Sequence, residues 1–365
     1  MRDHLTPLIF LGISTVAAQQ QPLYAPGVSG ATWREKYGPQ TDLTFTGPNS
    51  FSHLPYVRCL DVENEHFDIA ILGMPFDTGV THRPGARFGP QAIRTGSQRE
   101  FENFGYSLSW ETTPYEQGAK IIDCGDVPVS PFDNALAIDQ MEVAYSTLLD
   151  RPVANSSLSG SPRIITLGGD HTIVLPILRA LHKVHGPISV IHFDSHLDTW
   201  PTLPGSATKQ SRINHGTYFY VAHEEGLISN HSIHAGIRGK LMGLVDLETD
   251  ASTGFQLIST DDIDNLGIPE IHLPVSVDDE DPNIVYASFC KAGTPEAGGW
   301  TTREVKRIIR GLAGLNFVGA DIVEVAPAYD HAEITGIAAA DLVYDFLSMM
   351  LTDEPPKNDR VRDEL

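Results

Sequence analysis

The sequence predicts an α/β protein: a three-layer α/β/α sandwich with a mostly parallel sheet of about eight strands. Three observations predict it. Short apolar bursts alternate with longer stretches of helical periodicity between residues 67 and 351, the pattern of strands joined by crossover helices. Several bursts are apolar throughout, as strands buried on both faces are. One of them, Ile188–Phe193, runs straight into a cluster of Asp and His, at the kind of strand end where open parallel sheets bind ligands.

In chain order the expected strands are Phe67–Leu72, Lys120–Asp123, Arg163–Leu167, Ile188–Phe193, Ser232–Ile237, Gly254–Ile258, His272–Val277 and Phe317–Val323. Helical patterns fall at Asp139–Leu149, Ile173–His185, Arg303–Leu312 and Ala338–Leu351. Thr301-Thr-Arg-Glu304 spells a capping box, in which the threonine and glutamate side chains satisfy each other's free backbone N–H groups. No internal repeat or low-complexity linker interrupts this order.

The ends carry different signals. Met-Arg-Asp-His precedes an apolar run from Leu5 to Ala18 that closes on Val16-Ala17-Ala18. That is the pattern of a signal peptide over 1–18, with a frayed N-terminal helix as the alternative. Residues 19–55 form a Pro/Gly-rich extension, 56–352 the α/β domain, and 353–365 a solvated tail closing on Arg362-Asp363-Glu364-Leu365. That tetrapeptide differs from the K-D-E-L retention address only in its first residue. The expected location is the secretory pathway, in the endoplasmic reticulum lumen or outside the cell.

Composition excludes several classes. With 25 Lys and Arg against 47 Asp and Glu, the formal net charge is −22. A nucleic-acid partner, which requires clustered cations, is not expected; a cationic small molecule is. No apolar run reaches the ~20 residues that span a bilayer, so no membrane partner is expected. Three cysteines, Cys59, Cys124 and Cys290, make no metal-binding pair, and their odd number argues against a disulfide framework.

The chemistry concentrates in Ile191-His-Phe-Asp194-Ser-His196-Leu-Asp198. In extended backbone, alternate residues share a face, so Asp194, His196 and Asp198 converge. Such polar groups are costly on a buried strand unless a divalent cation or hydrogen bonds compensate them. Leu167-Gly168-Gly169-Asp170-His171 adds a tight strand-to-helix turn that leaves His171 at the same sheet edge. Two imidazoles with several carboxylates suit Mn²⁺ better than structural Zn²⁺.

From Phe67 to Met350 the sequence resembles the ureohydrolases: arginases, agmatinases and guanidinobutyrases. The resemblance is carried by the two motifs above, by Gly73-Met-Pro-Phe-Asp77 with Arg83-Pro-Gly85-Ala-Arg87-Phe-Gly89-Pro90, by Gly293-Thr-Pro-Glu296-Ala-Gly-Gly299, and by Gly319-Ala-Asp-Ile-Val-Glu324-Val-Ala-Pro327 with Tyr329-Asp330. Asn214-His215-Gly-Thr-Tyr-Phe219 looks closer to agmatinases than to arginases. The family's third metal motif, Ser-x-Asp-x-Asp, is matched by Ser276-Val-Asp278-Asp279-Glu280, with Glu280 where a second aspartate is expected and an unfamiliar loop after it.

The resemblance implies an arginase-like fold and a binuclear manganese centre. His171, Asp194, Asp198 and Asp278 would hold one Mn²⁺; His196, Asp194, Asp278 and Glu280 would hold the other. Two cations sharing a water lower its pKa and present hydroxide at neutral pH. Glu324 would orient the guanidinium, His215 would shuttle protons, and Asp198 would pass one to the leaving amine. For Glu324 a pairing with Arg238 or a lysine is the alternative. The implied activity is hydrolysis of a cationic guanidino substrate, agmatine first, to urea and putrescine. The alternatives are cleavage of 4-guanidinobutanoate or another guanidino acid, or an impaired lumenal or secreted relative. The resemblance also implies a homo-oligomer, a trimer or hexamer.

Overall fold

A computed structural model describes residues 47–101, 104–155, 160–267, 284–290 and 295–355. Eight strands form one sheet: β1 (Ile69–Met74), β2 (Ile121–Asp126), β3 (Arg163–Gly168), β4 (Ser189–Phe193), β5 (Ser232–Ile237), β6 (Phe255–Ser259), β7 (Ile284–Cys290) and β8 (Asn316–Val323). Their order across the sheet is β2-β1-β3-β8-β7-β4-β5-β6, and every pairing is parallel.

The apolar strands form because both their faces are covered. On β1, Ala70 and Leu72 join one core while Ile69 and Ile71 join the other, the period of two that a pleated strand imposes. One core is closed by α2 (Asn134–Leu149), α3 (Val174–His185) and α4 (Tyr218–Glu224); the opposite one by α1 (Gly89–Gly96), α7 (Thr302–Gly311) and α8 (Ile334–Met350). Short helices α5 (Leu244–Ser252) and α6 (Asp262–Leu266) flank the edge strand β6. That strand is buried only at Phe255, and its Gln256 and Leu257 are exposed, as the sheet edge allows. No helix among the described residues is long and apolar enough to cross a membrane.

Apart from the strand expected at 272–277, which lies outside the described residues, the expected elements are found with shifted ends. The box at Thr301 and Glu304 starts α7 as its spelling predicts. Helix α2 begins at Asn134 rather than Asp139 because Asp133 caps it, accepting from the N–H groups of Ala135 and Leu136; such a cap stabilises by about 1 kcal/mol.

Two expectations are corrected. The seventh strand is Ile284–Cys290, which the sequence places in a loop; residues 272–277 lie outside the described residues. The strand is held on both sides, with Phe289 level with Phe193 of β4 and Cys290 level with Val323 of β8. An odd cysteine count also does not prevent one bridge: Cys59 and Cys124 are joined, with Cα atoms 5.1 Å apart. Pairing of the Tyr56 segment with Asp123 on β2 brings these residues together across 65 positions.

Candidate metal centre

Sheet order builds the site. The four central strands, β3, β8, β7 and β4, stand side by side. Their C-terminal ends carry, respectively, the Gly168–His171 turn, Glu324, Cys290 and Asp194. Residues 290, 324, 171 and 194 are far apart in the chain and adjacent only because the strands pair in this order.

The turn after β3 uses glycine for space, not for a left-handed backbone. A Cβ on Gly169 would lie 1.8 Å from the Phe76 carbonyl oxygen. The Asp170 N–H donates to that oxygen, and the Glu324 N–H donates to the Gly169 carbonyl at 2.8 Å. Asp170 then ties down the loop after β1 by accepting from the Gly79 N–H at 2.8 Å. In that loop Asp77 accepts from the Gly85 N–H and from the Arg87 guanidinium. Burial raises the Asp77 pKa, but these donors more than offset it and leave it below the ordinary carboxylate value.

His171 is fully buried. The Ser288 hydroxyl donates to Asp321 at 3.0 Å, so it accepts from His171 Nε2 at 2.8 Å. In the neutral ring Nδ1 then carries a lone pair, and it stands 3.1 Å from Oδ2 of both Asp194 and Asp198 without a hydrogen bond to either. Only a proton or a cation can reconcile three electron-rich atoms placed so. Burial lowers the His171 pKa, yet the two carboxylates reverse this and raise it well above the ordinary value.

Strand β4 ends at Phe193, so Asp194 to Asp198 meet through a strand-end turn and not through the alternation of an extended strand. Asp194 accepts at Oδ1 from its own turn, including the His196 N–H at 3.0 Å, and faces His171 and His192 with Oδ2. Burial raises its pKa, but the three neighbouring histidines bring it far below the ordinary value. Burial and the Asp194 charge push Asp198 the other way, as for two carboxylates sharing one site. Asp198 (φ +56°) and Glu324 (φ +61°) both adopt the left-handed region, a strain that non-glycine residues hold mainly at functional sites.

His196 lies toward the outside, with Nδ1 3.5 Å from Asp194 Oδ1 and Nε2 3.5 Å from Glu296. Burial lowers its pKa, and Asp194, Asp198 and Glu296 together carry it up to about 9. Glu324 Oε1 accepts from the His171 N–H at 3.1 Å and lies 3.3 Å from His215 Nδ1, while its buried Oε2 has no partner. Arg238 is not its partner: that guanidinium donates to the carbonyls of Glu296 and Gly236. His215 accepts at Nε2 from the Thr81 N–H at 3.0 Å. Burial depresses its pKa, but Glu324, Asp198 and Asp170 raise it overall, while the Thr81 N–H opposes a second proton at Nε2.

These side chains line one pocket of about 200 Å³, together with Thr81, Trp200, Leu203, Gly216 and Cys290. Of the expected site residues, His171, Asp194, His196, Asp198, His215 and Glu324 converge there. Asp278 and Glu280 lie outside the described residues. Atoms of His171, Asp194, Asp198 and His192 approach within 4.8 Å of one another, a spacing that fits one divalent cation; three carboxylates and three imidazoles line the pocket, the kind of donor set that hard and borderline cations require.

Sequence reasoning passes over three features. His192 continues inward from Asp194 to His234 (2.7 Å between Nδ1 atoms), and His234 meets Asp250 at 3.0 Å, itself held by Thr199. Burial drives the His192 pKa down to about 3, so its ring is neutral. The signal was available: His192 and His234 are histidines inside two apolar bursts, and they sit level on paired strands. Ser288 and Cys290 carry no such local signal; only the pairing of β7 reveals them.

A model of the arginase family matches residues 67–349. The "Putative agmatinase 1" of Schizosaccharomyces pombe is 50% identical over 336 residues, covering 86% of this chain and 84% of that one. The agmatinase of Chromobacterium violaceum is 36% identical over 321 residues, covering 86% of this chain and 92% of its own. Among solved structures, the proclavaminate amidino hydrolase of Streptomyces clavuligerus superimposes with a TM-score of 0.74 at 30% identity, covering 86% of this chain and all of that one. With this sheet, these strand-end residues and this extent of likeness, the chain belongs to the arginase family of hydrolases that act on linear amidines.

Proposed function

We propose that the protein hydrolyses a linear guanidino compound, agmatine before others, to urea and a primary amine. The observation that carries this reading is the buried Glu324 Oε2, unpartnered and beside the His171–Asp194–Asp198 cluster. A carboxylate placed so binds a guanidinium fork through paired N–H donors. Held by His171, Asp194, Asp198 and His196, two Mn²⁺ ions would supply water of lowered pKa as the nucleophile.

The chain's own residues do the rest. Glu324 holds and orients the guanidinium; Thr81 fixes the His215 ring so that Nδ1 moves a proton along the Glu324 side; Asp198 hands one to the departing amine. Among the described lining residues there is no Lys or Arg, and three are carboxylates, which favours a cationic tail over the carboxylate tail of a guanidino acid.

The test is urea release by Mn²⁺-loaded protein from agmatine, 4-guanidinobutanoate and arginine. Agmatine should give the highest kcat/KM. Preference for 4-guanidinobutanoate would replace the substrate, and no release from any guanidine by metal-loaded protein would leave an impaired relative. The Cys59–Cys124 bridge supports our further proposal of a secretory-pathway location, because such bonds persist in oxidising compartments; co-fractionation with cytosol would refute it. A trimer or hexamer is proposed from the family resemblance, and light scattering on the purified protein measures it.

A further inference from the structure

We propose that Asp250, on the sheet-edge helix α5, is a positioning residue for the metal centre: one of its oxygens sets both Asp194 and Asp198, reaching the first through two histidines and the second through Thr199. The role rests on the reading that the buried His/Asp cluster binds divalent cations, and adds to it a control point on a helix outside the cluster.

Helix α5 is built inside out. Its Leu244 and Val245 are exposed, and its buried residues are Asp246 and Asp250, where a surface helix ordinarily buries its apolar stripe and leaves acids in water. Four positions apart, the two aspartates share one face. Asp246 has a local task, accepting from the Met242 N–H at 2.7 Å just ahead of the helix. Asp250 reaches away from its own helix. Its Oδ1 accepts from the Thr199 hydroxyl at 2.7 Å and meets His234 Nε2 at 3.0 Å. All three residues are buried, where hydrogen bonds are stronger than in water.

The first arm leads to Asp194. His234 Nδ1 stands 2.7 Å from His192 Nδ1, and His192 Nε2 stands 3.3 Å from Asp194 Oδ2, the oxygen that faces His171. Both rings are clamped: His234 stacks on Phe255 with centroids 3.9 Å apart, and His192 makes a T-shaped contact with Phe219 at 4.9 Å. A shift at Asp250 is therefore handed through two rigid rings to a carboxylate of the cluster.

The second arm leads to Asp198, which Thr199 follows directly. Asp198 holds a left-handed backbone (φ +56°), which a non-glycine residue keeps only where its surroundings over-determine it. The Thr199 hydroxyl, tied to Asp250, supplies one restraint; the Phe219 N–H, donating to the Asp198 carbonyl at 3.3 Å, supplies another. Because both arms end on one atom, a single oxygen of α5 sets Asp194 and Asp198 against each other. Outer partners of this kind fix ligand geometry, and losing one costs roughly 10- to 100-fold in metal affinity.

The test strips the full chain with chelator and titrates it with Mn²⁺, following the free ion by its electron paramagnetic resonance signal; the Tm of each stripped protein is measured beside it. Asp250→Ala should weaken Mn²⁺ binding roughly 100-fold, and Thr199→Val and His234→Phe about tenfold each. Adding Thr199→Val to Asp250→Ala should weaken it no further, because that arm is already cut. Asp250→Asn, which keeps an oxygen in the same place, should recover most of the loss. A merely structural role would lower the Tm of the variants without moving their affinity. Folded Asp250→Ala that binds Mn²⁺ within about twofold of its parent would overturn the positioning role and leave the metal centre standing. No Mn²⁺ bound by the parent would overturn the centre itself. If Asp250→Ala fails to fold, unchanged affinity in both Thr199→Val and His234→Phe overturns the role equally.

Discussion

Two buried charged clusters in this protein are built from similar residues and behave in opposite ways. At the edge of the sheet, Arg94 is 5% exposed and Asp123 fully buried. Arg94 donates Nε and Nη2 to the two oxygens of Asp123, Nη1 to Asp126, and Nη2 again to the Gly125 carbonyl. Asp123 takes two more N–H groups, from Phe51 and Gly125. Arg94 neutralises the buried Asp123, whose lone pairs are all used, while Asp126 is half exposed to solvent. At the centre of the sheet, Asp194, Asp198 and Glu324 gather with no Lys or Arg among the described lining residues, and His171 Nδ1 and Glu324 Oε2 stay unpartnered. A closed network holds segments in place; an open one is shaped for something that arrives from outside.

Breaking each cluster should therefore have opposite signatures. The largest effect is expected from Asp194→Asn: urea release falls on the order of 10⁴-fold, since the mutation strips both metal positions. Chelator-treated protein carrying this change should melt only slightly lower than its parent, because asparagine keeps the Oδ1 that accepts from the turn and gives up only the attraction of the neighbouring histidines. A large drop in Tm would show that Asp194 is structural like Asp123. Next, Arg94→Ala should lower unfolding free energy by about 3–5 kcal/mol by stranding Asp123, while the folded fraction binds its normal complement of metal. Loss of metal from folded Arg94→Ala would mean the two clusters are not independent.

The Cys59→Ser, Cys124→Ser double variant should cost roughly 2–4 kcal/mol by freeing a long loop in the unfolded chain, again without change in metal content; denaturant titration measures both. The smallest effect sharpens the comparison with a third cluster. The Glu100 side chain buries a carboxyl oxygen within a half-buried residue, and this burial, with the charge of Asp341, lifts its pKa from 4.5 to about 8. Here a proton, not a cation, answers burial. The folded state keeps a proton that the unfolded chain has released between those values, so this contribution to stability is whole below pH ~4.5 and is lost as pH rises toward ~8. Glu100→Gln should flatten that slope in pH-dependent unfolding; an unchanged slope would show that Glu100 is ionised in the fold.

What was legible in the sequence is what depends on short range. His171, Asp194, His196 and Asp198 stand within a few residues of strand ends, and apolar runs mark those ends. Strand β7 was not legible, because Ile284–Cys290 follows an acidic, Pro-containing run that reads as a loop, and only pairing with Phe193 and Val323 reveals it as a strand. The Cys59–Cys124 bridge and the His192–His234–Asp250 chain fail to show for the same reason: each contact is made by a fold that joins distant segments. His215 and Glu324 needed the family resemblance, since a loop histidine and a glutamate after a strand say nothing alone.

The last strand of the sheet to be synthesised, β8, lies in its middle, between β3 and β7. A nascent chain that has emerged only through β7 has no native partner for either facing edge, and its half-sheets expose unpaired backbone on both sides of a gap. Non-local closure of this kind is slow and leaves such edges open to misassembly. The pocket cannot assemble until residues 316–324 have taken their place between β3 and β7, so native metal acquisition follows closure of the sheet. A cation captured earlier would be held by the wrong donors.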